Sequence, residues 1–184
     1  PLARARYWEY ADGEFFGNGF DAWWCDCTEP LDADWRPMPE GYGWDSHKER
    51  WKGNLALLDG VLGAERSSLF SLYHSKGLYE NQRATTDRKR VVNLTRSSYA
   101  GQQRYSTITW NGDTHASWKS FAQQIPQGLN FMATGCPYWT VDIGSFFTRK
   151  GREWFRAGDF DAGVDDMGYR EYYVRMLQYG AFLP

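Results

Sequence analysis

Short apolar runs, each ending on a charged or polar residue, alternate along this chain with stretches of helical periodicity. That alternation constrains the fold more than any other feature. Phe20-Asp21-Ala22-Trp23-Trp24-Cys25 and Val91-Val92-Asn93-Leu94-Thr95 read as buried strands, and a third strand is expected within 129–142. Helices are expected over 2–12, 69–82 and 166–179. The stretch after Asp113 is the clearest helix, because Trp118, Phe121, Ala122 and Ile125 fall on one face. Asp113 or Thr114 is its expected cap, and Pro126 with Gly128 its expected end. Residues 29–50, with three Pro, several Gly and many charges, read as a long loop. Strands alternating with helices point to an α/β fold with parallel strands and intervening helices, a pattern that fits part of a (β/α)8 TIM barrel and many other α/β enzymes. About three strands are legible, whereas a complete barrel takes about 250 residues.

In such a barrel the chemistry sits at the C-terminal ends of the strands. Asp26, Arg96 and Asp142 occupy those ends, with Asp113 between the second and third. Composition agrees with a sugar site. The chain holds ten Trp and is 18% aromatic, although 24% of it is charged. Indole N–H groups are awkward to bury, while aromatic faces suit the C–H faces of sugar rings. Lys and Arg number 21 against 23 Asp and Glu, so no basic field points to nucleic acid. No apolar run approaches the roughly 20 residues of a membrane span, and no leader pattern opens the sequence. The compartment stays open, cytoplasmic and secreted both being compatible, as does the oligomeric state. Three Cys make a poor disulfide framework, and Cys25, Cys27, Cys136, His47, His74 and His115 match no metal-ligand spacing. No cofactor or metal is expected. Asn93-Leu94-Thr95 fits a glycosylation sequon but lies in an expected buried strand.

Three motifs carry a family resemblance. Trp23-Trp24-Cys25-Asp26-Cys27-Thr28-Glu29-Pro30 closely resembles the nucleophile motif of glycoside hydrolase family 31, in which an aromatic strand ends in Asp followed three residues later by Glu-Pro. Leu94-Thr95-Arg96-Ser97-Ser98-Tyr99-Ala100-Gly101, running on through Gln103-Arg104-Tyr105 to Trp110-Asn111-Gly112-Asp113, is similar to its acid/base segment. Gly128-Leu129-Asn130-Phe131 through Pro137-Tyr138-Trp139-Thr140-Val141-Asp142-Ile143-Gly144 is similar to the strand that follows. All three occur in the family's order and together cover essentially the whole chain.

The resemblance implies a retaining, exo-acting α-glycosidase that hydrolyses O-glycosyl bonds of α-glucosides or α-xylosides by double displacement. Asp26 is then the nucleophile and Asp113 the acid/base. Trp24, Cys27, Arg96, Trp110, Asp142 and Phe146 match positions lining the sugar subsite, and the implied partner is an α-linked oligosaccharide. The alternatives are a carbohydrate-binding fragment without catalysis and a family 31 transglycosylase. Residues 1–184 are expected to form one incomplete catalytic domain, the central part of the barrel, and to be inactive alone. An Asp from an earlier strand and a His from a later segment, both present in the family's subsite, have no counterpart here.

The chemistry can be argued beside the resemblance. A nucleophilic carboxylate wants a nearby cation, which Arg96 can supply. A carboxylic acid wants apolar walls and a like charge close by, which Trp110 and Asp26 can supply. A helix N-terminus at Asp113 would oppose this by about 0.3–1 kcal/mol. Arg104 is expected to be structural, through a salt bridge. The aromatic, acidic stretch 154–166 is expected either to cover the cleft or to be a solvated loop.

Overall fold

The computed structural model describes residues 1–28, 46–151 and 157–184, which form two compact units, Pro1–Thr107 and Ile108–Pro184.

In the first unit, α1 (Leu2–Glu14) leads to β1 (Trp23–Cys25), and α2 (Ser46–Leu62) and α3 (Phe70–Thr85) precede β2 (Asn93–Thr95). The strands β1 and β2 pair in parallel, with Trp23 opposite Asn93, Trp24 opposite Leu94 and Cys25 opposite Thr95. Because side chains alternate along a strand, Cys25 is buried and Trp23 half-buried on one face while Trp24 points to the other and is exposed. The buried face packs with Trp8, Ala11, Phe16 and Leu78 from the helices. Trp8 lies edge-on to Trp23, with ring centroids 5.7 Å apart. The two indoles that this packing encloses also find acceptors. Trp8 Nε1 donates to Thr85 Oγ1 at 3.0 Å, and Trp23 Nε1 donates to Gln82 Oε1 at 2.8 Å. That answers the hydrogen-bonding problem a Trp-rich core raises.

His74 of α3 lies between Tyr7 and Phe70, with ring centroids 5.5 and 6.4 Å away. Burial holds its imidazole below the ordinary value. The unfolded chain, with a histidine value of about 6.5, therefore binds the extra proton first. This contribution to stability is complete above about pH 6.5 and is lost as pH falls through the lowered folded value. Urea unfolding should show a midpoint that drops from pH 7 to pH 5, with a smaller drop in His74→Gln. Equal drops in the two proteins would refute the assignment.

At the boundary of the second unit, β3 (Thr107–Trp110) pairs in parallel with β4 (Trp139–Thr140), Thr109 opposite Trp139. Between them runs α4 (Trp118–Ala133), and α5 (Met167–Gly180) closes the chain. Ala116, Trp139, Val141, Phe160, Tyr172 and Met176 form the core. The helix α5 is capped by Asp166, which accepts from Gly168 N at 2.8 Å. Backbone N–H groups, that of Asp161 foremost, hold the Asp166 carboxyl below its usual range.

Several sequence expectations are corrected. The cap of α4 is Ser117, whose Oγ accepts from Ser120 N at 3.0 Å, and not Asp113 or Thr114. Pro126 lies inside α4, which runs on to Ala133. A helix-interior Pro costs about 3 kcal/mol, chiefly through a lost backbone bond and a ring clash. Here Pro126 and Ala122 are exposed, so water can reach that turn. Beyond it, Gly128 allows close approach to Trp139: a Cβ there would lie 2.9 Å from Trp139 Cδ1. Phe131 adds a ring contact to the same indole at 5.0 Å. Packing on β4 thus carries the helix past its breaker. Residues 46–50, expected as loop, open α2, while 29–45 lie outside the described residues. The strand β3 was not among the expected strands. Of the stretch 154–166, residues 154–156 lie outside the described residues. The remainder is anchored, with Phe160 buried against Tyr169 and Tyr172 at 5.5 Å each.

Candidate active site

In the first unit the site grows from strand register. Cys25 pairs with Thr95, so the next residues, Asp26 and Arg96, leave the two strands side by side at their C-terminal ends. Arg96 Nη1 lies 3.2 Å from Asp26 Oδ1. The Arg96 side chain is 17% exposed and that of Asp26 39%. A pair this open to water contributes at most about 1 kcal/mol to stability. Its consequence is orientation: one carboxylate oxygen faces a fixed guanidinium. The same guanidinium donates from Nη2 to Cys27 Sγ at 3.3 Å. Cys27 takes a left-handed backbone, φ 50°, and its N–H donates to Asp26 Oδ1 at 2.7 Å. Left-handed backbone is costly for a residue with a Cβ and persists where surrounding contacts fix it. Trp24 is exposed two residues before Asp26. Glu29 lies outside the described residues.

In the second unit β3 ends at Trp110, which is buried, and Asn111-Gly112 turns the chain into Asp113, which is half-buried. Gly112 has φ 75°. The next residue is tied on both sides. Thr114 O accepts from Phe146 N and Phe147 N, each at 3.0 Å, and Thr114 Oγ1 donates to Ser145 Oγ at 3.1 Å. Ser145 Oγ lies 2.7 Å from the hydroxyl of the buried Tyr172. Burial pushes the Tyr172 phenol up, which keeps it a proton-bearing partner. Ser145 N donates to Asp142 O at 2.9 Å. Asp113, Asp142 and Phe146 are thus gathered into one loop cluster, with Phe146 exposed beside buried Phe147. Asp113 precedes the Ser117 cap by four residues, so it is not a residue of the first turn of α4.

Thr28, whose Oγ1 lies 2.6 Å from Ser97 Oγ, holds the first of these loops, and Thr114, Ser145 and Tyr172 hold the second; the sequence carried no separate signal for them. Arg104 donates from Nε to Gly101 O at 2.9 Å, a tie within its own loop made to a carbonyl. Cys25, Cys27 and Cys136 are not joined in disulfides. Among the described residues no three His, Cys, Asp or Glu gather as a metal site, and no helix is long and apolar enough to cross a membrane.

Parallel strands joined through helices, with charged residues where the strands end, are the layout of a (β/α)8 barrel and its active face. The model of the family 31 glycosyl hydrolase TIM-barrel domain matches residues 1–184. An α-xylosidase of Saccharolobus solfataricus is 36% identical over 181 residues, 98% of this chain and 21% of that protein. Alpha-xylosidase A of Aspergillus niger is 31% identical over 194 residues, covering all of this chain and 25% of that protein. A solved α-xylosidase of family 31 from Xanthomonas citri superposes with a TM-score of 0.72 at 33% identity, over 100% of this chain and 18% of that one. The chain belongs to glycoside hydrolase family 31, and its strands and helices are part of that family's TIM barrel. It spans about a fifth to a quarter of the length of these relatives.

Proposed function

We propose that this chain is the central part of a catalytic domain that carries both carboxyl groups of a retaining, exo-acting α-glycosidase, with α-xylosides as the first substrate class. The observation that carries the reading is the Arg96–Asp26 pair at the ends of β1 and β2, 3.2 Å apart. It gives a carboxylate a charged donor on one side while Asp26 remains open enough to meet a substrate.

The mechanism follows from the two roles. Asp113 gives its proton to the glycosidic oxygen as that bond breaks. Asp26 attacks the anomeric carbon from the opposite face, forming a covalent glycosyl ester. Asp113, now a carboxylate, takes a proton from water, which displaces Asp26 and releases the sugar with its α configuration. Such a pair works at about 5–5.5 Å between carboxyl groups. Trp24 and Phe146, both exposed, offer faces for the sugar ring, and Arg96 and Asp142 offer polar contacts to its hydroxyls. Cys27, beside Asp26, and the buried Trp110, at the end of β3, are the remaining subsite positions of the proposal.

The relatives' names support the substrate class, since three of those reported above are α-xylosidases. An α-glucoside is the second reading, supported by an α-glucosidase of Saccharolobus solfataricus that is 28% identical over 152 residues. The test is kcat/KM of an enzyme carrying this segment on p-nitrophenyl α-xyloside and α-glucoside, with the first-formed anomer followed by NMR. An extra CH2OH separates the two sugars, and discrimination of about 10–200-fold is the range a shape-selective pocket achieves. Preference for the xyloside with α-xylose formed first is expected. Formation of the β anomer first, or sugar binding without hydrolysis, would contradict the proposal.

A further inference from the structure

Thr28 is the second residue after Asp26, and its side chain is turned away from solvent, with the residue 5% exposed. Its Oγ1 lies 2.7 Å from Thr95 Oγ1 and 2.6 Å from Ser97 Oγ. Those two residues flank Arg96. A single hydroxyl from the turn after β1 therefore grips the end of β2 on both sides of the residue that holds Asp26. One hydroxyl can donate to one of these partners and accept from the other, so both contacts can be made at once.

The far side of the grip is fixed too. Gln102 Nε2 donates to Ser97 O at 3.0 Å and to Ser75 Oγ at 3.0 Å, while Asn93 Nδ2 donates to Ser75 Oγ at 3.3 Å. Ser75, Asn93, Thr95 and Gln102 are all at most 1% exposed. A chain of polar groups, buried at Ser75, Gln102 and Thr28 and half-buried at Ser97, thus runs from α3 through Gln102 and Ser97 to Thr28. Cys27, between Asp26 and Thr28, sits in left-handed backbone, which a loosened turn would be free to leave.

We infer that Thr28 is a positioning residue for glycoside cleavage: its hydroxyl sets the distance and angle between the Asp26 carboxylate and the Arg96 guanidinium. The inference rests on Asp26 being the nucleophile. Thr28 touches no substrate and acts through the Asp26–Arg96 pair. A displacement of about 1 Å in a reacting group can cost about 100-fold in rate. Thr28→Val keeps the shape and removes the grip, whereas Thr28→Ser keeps the hydroxyl.

The experiment uses an enzyme carrying this segment within a complete barrel. Thr28→Val should lower kcat by about 10–100-fold with KM changed less than about threefold, because the turn and not the sugar contacts has moved. Thr28→Ser should return to within about threefold of the parent. In an Arg96→Lys background the Thr28→Val effect should shrink to a few-fold, since the geometry it protects is already lost. A purely structural role would lower the folded fraction equally in either background. If Thr28→Val does not fold, Ser97→Ala removes one of the two grips and should lower kcat in the same direction. Parent-like kcat in Thr28→Val, a Thr28→Ser as poor as the valine, or an undiminished effect in the Arg96→Lys background would overturn the positioning role. Labelling of the parent enzyme by a fluorinated glycosyl fluoride separates the two claims. Label on Asp26 with parent-like Thr28→Val removes only the positioning role, and label elsewhere removes the nucleophile assignment beneath it.

Discussion

Asp26→Ala in an enzyme carrying this segment is expected to lower kcat by at least about 10⁴-fold while leaving affinity for a substrate-like inhibitor nearly unchanged. In the proposed mechanism the substitution deletes the group that forms the covalent intermediate and leaves the walls standing. Trp24 is exposed on its strand. The loop cluster of Asp113, Asp142 and Phe146 is held by Thr114, Ser145 and Tyr172. Azide adds a second reading of the same variant. A small anion entering the space left by the carboxylate attacks from the vacated face, so an activated α-glycoside should yield the inverted β-glycosyl azide. A loss of less than about 100-fold, or weakened binding in proportion to the lost turnover, would mean that Asp26 serves recognition.

Asp113→Ala separates substrates by leaving group. Glycosides whose leaving alcohols need a proton should lose about 10²–10⁴-fold in kcat/KM, the range for a positioned acid. Activated aryl glycosides should lose far less in the bond-breaking step, because their leaving oxygens depart unprotonated. Hydrolysis of the glycosyl ester would then be slow for lack of a base, and azide, which needs none, should accelerate it. The product should be the α-glycosyl azide, since Asp26 has already inverted the centre once. Opposite azide anomers from the two alanine variants would assign both roles in one pair of measurements. A β-azide from Asp113→Ala would mean single displacement.

Residues at strand ends were legible in the sequence because an apolar run stops visibly. The runs Phe20–Cys25 and Val91–Thr95, of which Trp23–Cys25 and Asn93–Thr95 are strands, end just before Asp26 and Arg96, and parallel register pairs those two residues. What periodicity missed was set by contacts distant in sequence. Thr107-Ile108-Thr109-Trp110 is a short run with polar neighbours, and it becomes a strand by pairing with Trp139-Thr140. The α4 start was misplaced because Asp113 and Thr114 both have good capping chemistry. Pairing of His115 with Phe147 instead holds 114–116 extended and leaves the cap to Ser117. Local propensity makes Pro126 a stop because it ignores what Gly128 and Phe131 gain against Trp139. The opening of α2 inside an expected loop, Ser46-His47-Lys48-Glu49-Arg50, holds no apolar residue, so no apolar face announced it. In the site, the carboxylates and Arg96 were legible by chemical type. The hydroxyls that hold them were not, because Thr28, Ser97 and Ser145 look like ordinary surface residues until long-range contacts bury or tie them.

The most direct test of the central claim is to trap the covalent intermediate on an enzyme carrying this segment. A fluorinated α-glycosyl fluoride slows hydrolysis of the glycosyl ester so that it accumulates, and peptide mass spectrometry then locates the added sugar. The account predicts one fluorosugar per chain, attached to Asp26 and released over time with recovery of activity. Attachment to Asp113, Asp142 or Glu29, or turnover with no covalent adduct, would contradict it.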